Sequence, residues 1–127
     1  MNATNYITAT SRTDGDDEHY KGVADRAANN TKGIHYALGL VTESGEIADA
    51  YKKHVAYGSK LDVTNIKEEL GDLLFYVARF MELYGWTFEE VMQLNTDKLK
   101  ARYPDKFTQD AAENRDLVKE REILEEG

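Results

Sequence analysis

Apolar residues recur along this chain at spacings of three and four rather than two, which predicts helices throughout; Pro104 is the only proline. The first sixteen residues break the pattern. They are rich in Thr, Asn, Asp and Ser, have little bulky apolar support beyond Tyr6 and Ile7, and are expected to form a flexible arm. From Asp17 to Asn30 a weak helical pattern places Tyr20, Val23, Ala24 and Ala27 together, and Asn29-Asn30-Thr31 closes it. A stronger segment runs from Lys32 to about Val55, with Ile34, Leu38, Val41, Gly45, Ala48 and Val55 on one stripe. Tyr57-Gly58-Ser59 ends it, and a loop through Asp62 returns the chain.

The next helix is expected to begin near Thr64 or Asn65, because Asn65 and Glu68 have capping-box spacing, and to run to Tyr84. Leu70, Leu73, Leu74, Phe75, Val77, Ala78, Phe80, Met81 and Leu83 surround nearly its whole circumference, which predicts a central helix buried on most faces. Gly85 stops it. Thr87 and Glu90 then cap a helix over Phe88 to Arg102, which ends before Pro104. The charged stretch Asp110 to Glu125 has few apolar side chains and is expected to be helical only when docked on the bundle or on another subunit. The expectation is an all-α fold: an arm at 1–16, a four-helix-type bundle at 17–107 and a charged C-terminal helical extension at 108–127.

Composition narrows the function classes. The 127 residues fit one domain, and the absence of Cys excludes disulfides and thiol chemistry. A formal charge of −8 argues against a nucleic-acid partner, because phosphate contacts need clustered Lys and Arg. The longest apolar run, Leu73 to Ala78, is too short to cross a bilayer, and the N-terminus has no apolar signal segment. A cytoplasmic protein without a membrane partner is therefore expected.

Two acid pairs carry the candidate chemistry. Glu43 with Glu46, and Glu69 with Asp72, are each three residues apart and lie one turn from each other on a helix face. An antiparallel hairpin through 56–63 would bring the pairs face to face. Four carboxylates so crowded need counter-charge. All-oxygen donors, with no Cys and no well-placed His, select a hard ion such as Mg²⁺, with Mn²⁺ as a substitute. Alternatively, each acid pairs with a nearby Lys such as Lys52, Lys53 or Lys67.

The run HYALGLVTESGEIADAYKK, followed by NIKEELGDLLFYVARFMELYGWTFEEVMQLNTDKLKARYPDKF, resembles the MazG-type branch of the all-α nucleoside triphosphate pyrophosphohydrolases over about residues 29–107. The specific features are ExxE followed by ExxD at this separation, and the downstream N-x-x-K-L-x-x-R-Y-P. The resemblance implies hydrolysis of a (deoxy)nucleoside triphosphate to the monophosphate and pyrophosphate, with Glu43, Glu46, Glu69 and Asp72 as magnesium ligands. It also implies assembly as a homodimer or homotetramer, and phosphate contacts from Asn95, Lys98 and Arg102. Tyr76 and His35 are candidates for phosphate, sugar or base contacts, and Lys53 is a weaker candidate for the phosphates. The chain departs from the family pattern at Thr42, where many members carry a further Glu, leaving Glu68 as the adjacent reserve carboxylate.

Rival expectations are a non-catalytic helical oligomer that binds or senses a nucleotide, and a bare scaffold. A ferritin-like di-metal protein would need Glu-x-x-His pairs, and none occurs.

Overall fold

The computed structural model describes residues 2–127, and every regular element among them is a helix: α1 (Ala3–Ser11), α2 (Asp17–Ala28), α3 (Thr31–Tyr57), α4 (Val63–Tyr84), α5 (Phe88–Arg102), α6 (Gln109–Glu113) and α7 (Leu117–Glu126). The all-α expectation holds.

Local chemistry explains the boundaries, including those that differ from expectation. Where an arm without regular structure is expected, α1 forms, capped by the Asn2 side chain accepting the Asn5 N–H at 2.8 Å. The Thr8, Thr10 and Ser11 hydroxyls donate back to carbonyls of the same helix, so its polar residues serve their own backbone, and the whole helix is solvent-exposed. α3 ends at Gly58, whose φ of 72° is the left-handed conformation that closes a helix; Ser59 N–H then reaches back to the Lys53 carbonyl. The cap of α4 is Asp62 rather than Asn65, because the Asp62 carboxylate accepts the Asn65 N–H at 3.0 Å. That leaves the Asn65 amide free to act elsewhere. Thr87 and Glu90 do form the expected capping box of α5. The C-terminal stretch is two helices, not one, since Asp116 starts α7 by accepting the Lys119 N–H.

Two packed pairs organise the chain: α3 against α4 as an antiparallel hairpin, and α5 against α7, with α2 resting more lightly on α3. The hairpin closes most tightly where the Tyr76 ring lies over Gly39. A Cβ at position 39 would clash with the Cζ, Cε1 and Cε2 atoms of that ring, so only glycine permits this approach. One turn away, Tyr36 meets Phe80 edge to face at 5.6 Å between ring centroids.

The expected burial of α4 is not met within one chain. Leu74 is 59% exposed, Leu70 and Phe75 are about as open, and the α3 stripe through Ile34, Leu38 and Val41 faces solvent, with Val41 at 69%. No hydrophobic side chain among the described residues is fully buried. The reason is geometric: α4 has only α3 as a close neighbour, and one helix covers only one side of another. Surface area measures the shortfall. A compact monomer of 14.4 kDa exposes about 6,800 Å², whereas this chain exposes 10321 Å².

The most deeply buried side chain is polar. Glu120 on α7 is 4% exposed and accepts two hydrogen bonds from Arg102 at 2.7 Å, while Arg115 donates to it at 2.6 Å. These bonds hold its carboxyl down to about 2, against 4.5 for an ordinary Glu. The folded-state value is depressed, so the stabilisation is complete above about pH 4.5 and disappears as pH falls through about 2. Glu120→Gln should therefore flatten the acid limb of a melting-temperature profile between those values, and lower the neutral-pH midpoint by roughly 10 °C. Differential scanning fluorimetry across pH checks both.

Candidate functional site

The hairpin brings three of the four expected acids together. Gly39 sets the register: Glu43 lies one turn along α3 from it, and Asp72 lies one turn along α4 before Tyr76, so the two acids meet across the interface. Glu69 is a turn earlier on the same face. One carboxylate oxygen from each of Glu43, Glu69 and Asp72 lies within 4.8 Å of the others. Exposure is graded across the cluster, with Glu69 buried at 8%, Glu43 half-buried and Asp72 open to solvent.

Charge in this cluster is not compensated. The Glu69 carboxyl is pushed above the usual carboxylate range, first by burial, then by its hydrogen bond with Glu43 and by the charges of Glu43 and Asp72. A 2.6 Å hydrogen bond from the Asn65 amide opposes the shift, and no cation contributes to it. The donors are hard oxygens only, and one oxygen from each of three carboxylates is fewer than the six that an octahedral Mg²⁺ takes. This set fits a Mg²⁺ or Mn²⁺ ion and is unsuited to zinc, which favours sulfur and nitrogen.

Glu46, the fourth expected ligand, does not join the cluster. It lies a turn beyond Glu43 with its side chain exposed, where a carboxylate keeps its hydration and avoids the repulsion of the other three acids. Lys53 is not free either, because it pairs with Asp49 at 2.5 Å on the solvent side of α3 and feels Glu46 only through its charge. Tyr76 adjoins the cluster, one turn from Asp72 on α4, and the His35 ring meets the Tyr76 ring edge to face at 6.0 Å, two turns before Glu43 on α3.

The basic residues of α5 lie elsewhere. Asn95 and Lys98 border a groove of about 450 Å³ between α5 and α7, shared with Trp86, Leu94 and Leu124. Arg102 turns into its ion pair with Glu120 while Lys98 lines the groove, so the two cations expected to serve one polyphosphate chain face different surroundings. α5 packs on α7 rather than on the hairpin, and within one chain Asn95, Lys98 and Arg102 are not assembled with the acids.

Two contributors escape a reading of the sequence. Asn65 has the spacing of a cap, although its position four residues before Glu69 is also that of an i, i+4 partner. Glu120 is one acid in a run of charges, and nothing in its spacing marks it for burial.

Comparison with known proteins decides the family. Residues 32–107 match the MazG nucleotide pyrophosphohydrolase domain. The chain belongs to this family. A curated relative, the "Gene 37 protein" of Mycobacterium phage L5, is 31% identical over 101 residues, covering 76% of this chain and 87% of that protein. No solved structure gives a significant match. The MazG match takes in nearly all of α3, together with α4 and α5, and so contains Glu43, Glu69 and Asp72; α7 and its buried Glu120 lie outside it.

Register at Gly39 is open to test. Gly39→Ala should force the Tyr76 ring away, destabilise the hairpin by about 1–3 kcal/mol as an overpacking change, and weaken Mn²⁺ binding while helix content is retained. Circular dichroism melts and a Mn²⁺ titration check this together.

Proposed function

We propose that this MazG-family chain hydrolyses a nucleoside triphosphate to the monophosphate and pyrophosphate with Mg²⁺ as cofactor. The observation that carries this is the uncompensated cluster of Glu43, Glu69 and Asp72, with Glu69 buried, inside the family's domain. Such an arrangement is costly for folding alone and is useful to a protein that recruits hard cations. Glu43, Glu69 and Asp72 hold the metal, with Glu46 able to swing in from solvent as a further ligand. When bound, Mg²⁺ offsets the charge of the acids and the triphosphate and lowers the pKa of water.

The protein residues supply position and proton transfer. Water attacks the α-phosphorus, a new P–O bond forms, and the bridging oxygen leaves with pyrophosphate. A carboxylate of α3, Glu43 or Glu46, accepts the proton of that water. Tyr76, one turn from Asp72, and His35, which meets it edge to face, contact the sugar and base. Asn95, Lys98 and Arg102 meet the phosphates; because one chain does not bring them to the acids, a second copy of the chain delivers them, and Arg102 exchanges Glu120 for phosphate oxygens.

A homo-oligomer, dimer or tetramer, is supported independently by the surface. The excess of about 3,500 Å² over a compact monomer is larger than the roughly 800 Å² that one partner gives to a standard interface. It includes the open apolar stripes of α3 and α4, which a second hairpin can cover.

Assays with a panel of nucleoside triphosphates in H₂¹⁸O and Mg²⁺ test the reaction. Label in the monophosphate, with unlabelled pyrophosphate as the other product, is expected. Inorganic phosphate released together with a nucleoside diphosphate and without pyrophosphate, or nucleotide binding without turnover, would overturn it, the latter in favour of a sensor. Glu43→Gln should reduce the rate at least 100-fold yet raise the metal-free melting midpoint by about 2–5 °C, because removing one acid relieves repulsion.

A further inference from the structure

We propose that Asn65 is a positioning residue for Glu69, holding one of its carboxylate oxygens so that the other stays directed into the acid cluster. This rests on the reading of that cluster as a cation site. The Asn65 amide donates to Glu69 Oε1 at 2.6 Å, and among the described residues it is the only N–H donor that reaches this carboxylate. Among the described residues Glu69 is one of two buried polar ones, so fixing it matters more than fixing a solvated acid.

The amide is itself held in place. Its own backbone N–H is bound by the Asp62 carboxylate at 3.0 Å, which relieves the side chain of any capping duty and lets it turn forward along α4. The chemistry of the donor is suited to the task. A Lys or Arg at this position would neutralise Glu69 and compete with an incoming cation, and a carboxylate would repel it. A carboxamide instead orients one oxygen, leaves the full negative charge, and removes rotational freedom that ion binding would otherwise have to freeze. Outer groups of this kind, which hold metal-binding side chains in orientation, characteristically change affinity 10- to 100-fold when removed.

The test uses the full chain and Mn²⁺, titrated by electron paramagnetic resonance, with melting curves recorded without metal. Asn65→Leu, of similar size but without a donor, should weaken Mn²⁺ affinity at least 10-fold. Asn65→Gln, which restores an amide N–H, should recover most of that loss. Asp62→Ala, which removes the cap at the same helix end, should lower the melting midpoint and leave affinity within about 3-fold of wild type, an allowance for ordinary coupling between neighbouring sites. Wild-type affinity in a folded Asn65→Leu variant overturns the proposal, as does an equal loss in Asp62→Ala, which would trace the effect to fraying. A wild-type chain that binds no Mn²⁺ overturns the cation site itself, and is thereby told apart from a failure of Asn65 alone.

Discussion

The contact between Gly39 and the Tyr76 ring is the constraint from which the acid cluster follows. Helices normally pack 8–10 Å apart, with side chains from both filling the gap. Here one partner has no side chain at the crossing, so an aromatic ring from the other rests directly on its backbone. That fixes both the distance between α3 and α4 and their register. Glu43 is consequently held against Glu69 and Asp72, in a place that electrostatics alone would make it leave. Packing energy at one turn maintains strain at the next.

A second constraint acts on the whole chain. The hairpin is apolar on too many sides for one neighbour to cover, and α5 and α7 form a separate pair rather than a second layer over it. The two buried carboxylates differ instructively. Glu120 sits between two guanidinium groups and is held ionised, whereas Glu69 sits among acids with a single amide and is biased toward protonation. One has its counter-ions supplied by the fold. The other has no cationic side chain of the chain acting on it.

Much of this was legible in the residues. The 3.6-residue periodicity, Gly58, Gly85 and the Thr87/Glu90 pair place three of the helices to within a residue or two, since those signals are local. The spacing of Glu43, Glu69 and Asp72 announced their convergence, because a short loop leaves a helical hairpin few registers. The fate of Glu46 was not legible, since i, i+3 spacing gives a shared face but not the tilt that decides which acid turns to water. Arg102 and Glu120 are eighteen residues apart, and no local pattern encodes a pairing across a turn and two helices. The exposure of α4 followed from what the chain lacks: periodicity states which faces want cover, and is silent on whether the cover comes from the same molecule.

The aromatic side chains have a practical consequence. From Tyr76 beside the acids, successive ring contacts run through His35, Tyr36, Phe80 and Tyr84 to Trp86, where the last pair stacks at 4.7 Å. Trp86 is the sole indole in the chain and stands half open at the mouth of the α5–α7 groove. The molecule thus carries its own fluorophore at the junction of its two helical pairs, and its emission colour would register, without any label, whether that junction is wet or covered.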